Sequence, residues 1–453
     1  MSKESENKDK PGHGKRILLR TFGCQMNTRD SEIIAGILKD ARHKIVDDEK
    51  DADVILFNTC SVRQHAEDRV ISVVGRLAAR KRKNPDLVLG IVGCMAERHG
   101  ERLLKKYPYL DIVVGPNNIY DLPELIKKIR PPEKALAVGN VRRPGEKMKN
   151  RLHTGKFSAF VNIMFGCDNY CSYCIVPYVR GREVSRPKKD IIDEIKLLAD
   201  KGVKEITLLG QNVNSYGKGL TNRITFPALL EMTNGIKGIE RIRFMTSHAK
   251  DAEKGLFRAM RDLDKVCEHL HLPLQSASDR ILDLMNRKYT YDDYRRKIEL
   301  LREMVPGIGV TTDLVVGFPS EKERDFEATQ KAVEEIGYNA AFIFKYSPRP
   351  PAVSASLVDD VPEEVKKERN NALLAAQKEI SHAKNKTFIG TEQEILVEGL
   401  SSKSDTQLTG RTRGNTYCVF TGDKKLIGRL VRVRVVGATT FTLRGEILGD
   451  TDE

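Results

Sequence analysis

The sequence predicts an α/β chain in three parts: an N-terminal parallel α/β domain, a central partial (β/α)6 barrel and a small C-terminal β-barrel. Three observations predict it. Apolar runs in the first third alternate with helix-like segments, a βαβαβ rhythm whose unbroken hydrophobicity marks strands covered on both faces. Six further strand–helix repeats fill the middle, as in a partial barrel. From about Thr387 the pattern shortens to alternation punctuated by glycine, as in a small closed sheet of the OB type.

Residues 1–14 are polar and charged and read as a flexible tail. They hold no apolar core for a secretory signal, and no run in the chain approaches the ~20 residues of a membrane span. The expected location is cytoplasmic, with no membrane partner. Residues 15–130 form the first domain, with strands at Arg16–Gly23, Asp53–Thr59 and Leu87–Gly93. Each runs directly into a cysteine: Cys24, Cys60 and Cys94. Helices are expected at Ser31–Lys39 and Glu67–Arg82, a further strand at Leu110–Val114 and a closing helix at Leu122–Ile129. Pro131-Pro132 opens a charged linker rich in proline and glycine, residues 131–151.

Residues 152–385 carry the repeats, with strands at Ser158–Phe165, Lys204–Leu209, Arg241–Met245, Glu268–Leu272, Gly309–Val316 and Ala340–Phe344. Helical spacing appears at Asp190–Lys201, Asp279–Asn286, Asp292–Glu303 and Asp325–Ile336. A helix over Val361–Lys386 leads into residues 386–450, about five short strands that include Glu394–Glu398, Tyr417–Phe420, Leu430–Val436 and Phe441–Arg444.

With 453 residues, 40% hydrophobic and 31% charged, the chain is globular and long enough for about three domains. A net charge of +14 favours a polyanionic partner, with ordinary solubility as the plain alternative. The excess is local: Arg76–Lys83, and Lys127, Lys128, Arg130, Arg142, Arg143, Lys147, Lys149 and Arg151 around the linker. Eight cysteines are too few for a disulfide scaffold of this length, so clustered cysteines point to metal or redox chemistry.

Parallel sheets gather ligands beyond the carboxyl ends of their strands. Cys24, Cys60 and Cys94 stand at three such ends and can meet in space, although three buried structural cysteines would also explain them. Gly23 and Gly93 directly precede two of them and permit close backbone approach. A second group, Cys167, Cys171 and Cys174, occupies one short loop after Ser158–Phe165. Three thiolates there suit a 4Fe–4S cube with one open iron, or a zinc site completed by a distant histidine. At the ends of the central strands stand Gln211, Asn212, Asn214, His248, Gln275, Asp313 and Arg349, either a polar crown around one cofactor or loop caps. Cys267, Cys418, His269 and His271 read as structural.

The spacing of Cys167, Cys171 and Cys174, with Tyr173 before the last, resembles that of the radical S-adenosylmethionine enzymes. Thr21-Phe-Gly-Cys-Gln-Met-Asn27, Asn58-Thr-Cys-Ser-Val-Arg63 and Gly93-Cys-Met-Ala-Glu-Arg98 resemble the signature boxes of the methylthiotransferases. They are most similar to the branch that acts on isopentenyladenosine in tRNA, as is Leu208-Leu-Gly-Gln-Asn-Val-Asn-Ser-Tyr216. His271–Ser276, Tyr346–Pro350 and Tyr178–Pro187 also look like family segments, and residues 386–450 resemble the TRAM domain of tRNA-modifying enzymes.

The resemblance implies two 4Fe–4S clusters, one on Cys24, Cys60 and Cys94 and one on Cys167, Cys171 and Cys174, the six cysteines serving as catalytic metal ligands. It implies S-adenosyl-L-methionine held near Gln211, Gln275, Tyr173 and Arg349, and tRNA met by Arg180, Arg182, Arg186, Arg411, Arg413 and Arg432. The activity implied is methylthiolation of carbon 2 of N(6)-isopentenyladenosine next to the anticodon, consuming two S-adenosylmethionines. An electron donor such as flavodoxin or ferredoxin, an Fe–S carrier for cluster repair and a monomeric state are expected with it. Ala277 and Ser320 stand where the family usually has glycine, and Pro351-Ala352 replaces Gly-Thr. Sister enzymes act on threonylcarbamoyladenosine or on a ribosomal protein; the boxes at Asn58 and Gln211 argue against both. The rival from another class is a non-catalytic Fe–S RNA-binding protein.

Overall fold

The computed structural model describes residues 14–61, 64–139, 153–402 and 404–450. The expected tail and most of the linker, with its basic residues from Arg142 to Arg151, lie outside them. The described chain divides into two bodies. One runs to Thr154 and takes in Ile175–Gly181; the other is Gly155–Cys174 with everything from Arg182 onward.

The first body has six strands: β1 (Arg16–Phe22), β2 (Lys44–Val46), β3 (Val54–Thr59), β4 (Val88–Gly93), β5 (Ile112–Val114) and β6 (Ala135–Ala137). Its helices are α1 (Gln25–Asp40), α2 (Gln64–Lys83), α3 (Cys94–His99), α4 (Glu101–Lys106) and α5 (Leu122–Lys128). All neighbours pair in parallel, in the order β2-β1-β3-β4-β5-β6. Alternate residues feed two cores. Ile55, Phe57, Leu89 and Ile91 pack under α2 and α3, while Val54, Leu56, Val88 and Val92 pack against Ile34 and Leu38 of α1 and Ile126 of α5. Burying one such side chain contributes about 1.5–3 kcal/mol, which is why these strands are apolar without a break. β2 and β6 are three-residue edge strands that the sequence pattern did not reveal. β6 pairs with β5 and so carries the sheet past residue 130, into the segment expected to be linker. The short α6 (Val176–Arg180) packs Ile175 and Val179 onto Cys94 in this same body.

The second body opens with β7 (Ser158–Asn162), β8 (Met164–Phe165) and β9 (Val184–Ser185), then α7 (Lys188–Asp200) and β10 (Glu205–Leu209). Next come α8 (Phe226–Asn234), β11 (Arg241–Met245), α9 (Lys254–Asp262), β12 (His269–His271), α10 (Asp279–Leu284) and α11 (Tyr291–Met304). The series closes with β13 (Gly309–Val316), α12 (Glu323–Ile336), β14 (Ala340–Lys345) and α13 (Glu363–Lys386). Six parallel strands form two triplets, β7-β10-β11 and β12-β13-β14, joined by a single bridge between Ile242 and Val266. This is the expected partial barrel. Thr225, Ser278 and Thr290 cap α8, α10 and α11, and Thr290 and Asp293 form a reciprocal box ahead of α11.

The last five strands, β15 (Glu392–Leu400), β16 (Gln407–Thr412), β17 (Tyr417–Thr421), β18 (Leu430–Ala438) and β19 (Thr442–Asp450), close a barrel in the order 15-16-17-19-18. It sits at the amino ends of the central strands. Arg241, first in β11, reaches Glu394 and the Arg411 carbonyl, and Arg243 reaches the carbonyls of Thr412 and Arg413. The loop departures are local. Ala277 has ordinary backbone, whereas Ser320 adopts φ 65°, the conformation glycine would favour, held by its N–H to Asp360.

Candidate metal centres

Sheet register brings the first cysteine group together. Phe22 pairs with Thr59, and Thr59 with Gly93, so the three strands end level. Cys60 and Cys94 directly follow β3 and β4, and Cys24 follows β1 after one glycine. The strand order reverses at β1 and β3, which is where doubly wound sheets open a ligand crevice. Gly23 is required for this approach: a Cβ there would lie 2.5 Å from the Cβ of Cys60. At Gly93, φ 95°, a Cβ would lie 2.5 Å from the Asn58 side-chain oxygen. Asn58 is fully buried and ties the cysteine turns to one another. It donates to the Asn27 carbonyl at 2.8 Å and to Ser31 at 2.9 Å, and accepts from Asn27 Nδ2 at 3.1 Å.

Cys24 caps α1 and donates to Asn27 Oδ1 at 3.3 Å. A hydrogen bond with Cys60 outweighs burial, and with help from Arg180 brings its thiol down to about 6. Cys94 is buried, which pushes its thiol up against the pull of Arg180. Arg180 is buried beside both. Burial opposes its charge, but Asp30 at 2.6 Å and the two thiols hold it firmly protonated.

The second group is built by the loop after β8. Cys167 and Cys171 are buried and Cys174 half-buried. Burial pushes the Cys167 thiol up to about 11. The loop is tied to the end of α10: Ser172 N–H donates to the Met285 carbonyl at 3.0 Å, and its hydroxyl to Leu284 at 2.7 Å. Arg287 Nη1 donates to Cys171 Sγ at 3.3 Å and to the Tyr173 hydroxyl at 3.4 Å. His248 Nε2 stands 3.9 Å from the same sulfur; burial, then Arg287, holds this ring neutral, down to about 2.

Polar side chains ring the carboxyl ends of β7, β10 and β11. Both amide atoms of Asn162 and of Asn214, Gln211 Oε1, Asn212 Oδ1 and Ser247 Oγ are buried with no partner among the described residues. Buried polar atoms are nearly always satisfied, so this rim fits a polar ligand. Gln275 is buried with φ 74° and bridges Leu314; Arg349 is buried, and Tyr173 packs against Ile281, Met285 and Tyr346. His271 reaches Asp313 at 3.4 Å and Thr311 at 3.0 Å, and His269 reaches Thr311 at 3.1 Å. Cys267 and Cys418 are buried, Cys418 in the core of the small barrel.

The Uncharacterized protein family UPF0004 matches residues 16–115, the Radical SAM superfamily 161–333 and the TRAM domain 386–448. A tRNA-2-methylthio-N(6)-dimethylallyladenosine synthase from Clostridium novyi is 48% identical, covering 98% of this chain and 99% of its own. One from Moorella thermoacetica is 46% identical over 96% and 98%. The chain belongs to this synthase family. The radical S-adenosylmethionine methyltransferase TsrM from Kitasatospora setae, solved with cobalamin and a [4Fe-4S] cluster, superposes with a TM-score of 0.54 at 14% identity, over 76% of this chain and 77% of its own. That likeness speaks for the fold alone.

Membership in a radical S-adenosylmethionine synthase family implies S-adenosylmethionine and iron–sulfur cofactors. The side chains present fit both: two sets of three thiols for iron, and the orphaned rim at Asn162, Gln211, Asn212, Asn214 and Ser247 for the polar end of the amino-acid portion. Among the described residues no three His, Cys, Asp or Glu side chains gather as a site for one metal ion. A cube of four irons lies between its ligands and does not ask for that closeness.

The arginines expected to meet RNA need correction. Arg180 is buried on Asp30 beside the first cysteine group, and Arg186 on Glu194 at 2.7 Å. Arg411 binds Glu398 and Glu205, and Arg413 binds Glu268 at 2.7 Å; both tie the small barrel to the central strands. Arg182 is exposed but paired with Asp168 at 2.7 Å, and Arg432 points outward from β18. Sequence reasoning missed Arg287, which lies 116 residues from the cysteine it touches with no motif joining them.

Proposed function

We propose that this chain inserts a methylthio group at carbon 2 of N(6)-isopentenyladenosine next to the anticodon of tRNA. In this reading each cysteine group carries one 4Fe–4S cluster, and two S-adenosylmethionines are consumed. The observation that carries it is the register of β1, β3 and β4, which ends three strands level and sets Cys24, Cys60 and Cys94 just beyond adjacent carboxyl ends. A second trio in the radical S-adenosylmethionine spacing stands on a separate body. When bound, these groups would supply one-electron reduction, hydrogen abstraction, sulfur and a methyl group; the carbon 2–hydrogen bond of the adenine would break, its hydrogen leaving in 5′-deoxyadenosine, and a C–S–CH3 bond would take its place.

The chain's own residues hold and shield. Asn58 and Asn27 fix the spacing of the first trio, and Arg180, paired with Asp30, stands beside Cys24 and Cys94. The rim from Asn162 to Ser247, together with Gln275, Tyr173 and Arg349, would orient S-adenosylmethionine. Arg432 and Arg182 remain for phosphate, and exposed Tyr417 and Phe441 for stacking. A base in a single-stranded loop leaves its stack at low cost. No helix among the described residues is long and apolar enough to cross a membrane. We expect the enzyme to work in the cytoplasm as a monomer, with flavodoxin or ferredoxin as donor and an Fe–S carrier for repair.

Anaerobic reconstitution with iron and sulfide counting, followed by mass spectrometry of product tRNA, tests the reading. The expected result is roughly eight irons per chain and conversion of isopentenyladenosine to its 2-methylthio form. A single cluster, or methylthio groups on another nucleoside or on a ribosomal protein, refutes it.

A further inference from the structure

The side chains around Cys171 include an unusual cation. Arg287 is 3% exposed. Its Nε donates to Tyr289 at 2.9 Å, Nη2 to the Pro273 carbonyl at 3.0 Å, and Nη1 to Tyr173 and Cys171. Among the described residues no carboxylate pairs with it. Six other arginines buried to a similar degree, Arg29, Arg180, Arg186, Arg241, Arg243 and Arg369, each have a carboxylate within 3.0 Å. A buried charge left without a counter-ion is strongly destabilising. Phenols and a carbonyl satisfy hydrogen bonds but carry no negative charge.

The backbone spends strain to place this cation. Asn286 and Lys288, on either side of it, both hold left-handed backbone at φ 58° and 62°. Such positions persist only where the surroundings over-determine them, and they gather at functional sites. Here Asn286 Nδ2 donates to the Tyr170 carbonyl at 2.9 Å, and the Arg287 N–H to Leu282 at 2.9 Å. The same turn that clamps the cysteine loop therefore aims the guanidinium at one of its sulfurs.

We propose that Arg287 is a positioning residue whose counter-ion is the metal-bound thiolate set of Cys167, Cys171 and Cys174, and that its charge raises the reduction potential of the cluster held there. The proposal rests on the reading of that trio as a 4Fe–4S site. One-electron reduction adds negative charge to the cluster, and a fixed cation 3.3 Å from a ligand sulfur favours the reduced form. The electron comes from an external low-potential donor. Arg180 differs, because Asp30 already neutralises it.

The test uses the full-length chain with Cys24, Cys60 and Cys94 replaced by alanine, so that only one cluster contributes. Arg287→Met and Arg287→Lys are compared with this parent by iron content and by mediated redox titration followed by electron paramagnetic resonance. The parent should hold roughly four irons; a parent that binds none refutes the cluster reading and this inference with it. With an intact parent, Arg287→Met should be on the order of tenfold harder to reduce at fixed potential, about 59 mV for one electron. Arg287→Lys should stay near the parent. Loss of the cluster in Arg287→Met with retention in Arg287→Lys also supports the charge. An unchanged potential in Arg287→Met overturns the inference, as does equal failure of both variants, which would mark Arg287 as a packing residue only.

Discussion

Gly23→Ala is the sharpest probe of the first cysteine group. The new Cβ would lie 2.5 Å from the Cβ of Cys60 and 2.8 Å from Asn27 Oδ1. Carbon atoms rest about 3.5–4.0 Å apart, so the strand ends must separate by about 1 Å. Cys60 Cβ cannot swing away, since it is bonded directly to its backbone carbon, and Asn27 Oδ1 can move only by giving up its place in the Asn58 network. Overpacking of this kind costs about 1–3 kcal/mol. Alanine at φ 140° adds strain of about 1–3 kcal/mol. Gly75 in α2 is the control: its added Cβ meets only the Tyr109 hydroxyl at 3.9 Å, so Gly75→Ala should gain about 0.5–1 kcal/mol. Anaerobic iron counting and thermal melting read the result. Gly23→Ala should fall from roughly eight irons to roughly four and melt lower, while still producing 5′-deoxyadenosine from the untouched loop at Cys167–Cys174. Full iron content with unchanged melting would refute the argument that the register of β1 and β3 sets the cysteine spacing.

Asn58→Ala removes the acceptor of Asn27 Nδ2 and leaves that donor buried and unmet, a cost of about 1–3 kcal/mol that melting of the cluster-free protein should show. The Cys24 thiol titrates near 6 in the fold against 9.0 in an ordinary thiol. Its contribution to stability is therefore fully present above pH 9, declines as pH falls, and is gone below 6; iodoacetamide labelling of cluster-free protein should reach half its maximal rate at Cys24 near pH 6. Arg413→Gln should lower melting through loss of its bonds to Glu268 while leaving the salt dependence of tRNA binding intact. Arg432→Gln should do the reverse, reducing the salt slope by about 0.7–0.9 without loss of stability.

The strands were legible where burial on both faces forced an unbroken apolar run, as in Val54–Phe57 and Val88–Val92. β2 and β6 were not, because a three-residue edge strand needs no such run and is defined only by the neighbour it pairs with. The two cysteine groups were legible for different reasons. Cys167, Cys171 and Cys174 share a loop, so sequence spacing suffices. Cys24, Cys60 and Cys94 are far apart in sequence and become a group only if the sheet is parallel and its strands end level. That inference needed topology as well as residue identity; the pairing of Phe22 with Thr59 and Thr59 with Gly93 supplies the level strand ends it calls for.

Arginine shows where reading by residue type stops. A guanidinium in sequence suggests phosphate, because it is always charged and presents a planar fork of donors. Yet burial decides what it does. At Arg180 and Arg186 the charge is matched by a carboxylate inside the fold. At Arg411 and Arg413 it is matched across a domain seam, where Glu205 and Glu268 stand at the amino ends of the central strands. The fork that would grip a phosphate is the same fork that fastens a β-barrel to its scaffold, and each side chain can do only one at a time. The RNA surface of this chain must therefore be sought among outward cations such as Arg432, where the β-strand alternation places Leu430–Ala438 side chains on the solvent face at every second position. A buried arginine with no carboxylate partner among the described residues, as Arg287 is, then becomes informative, because its charge calls for a counter-ion of another kind, the role proposed above for the thiolates of the Cys167–Cys174 loop.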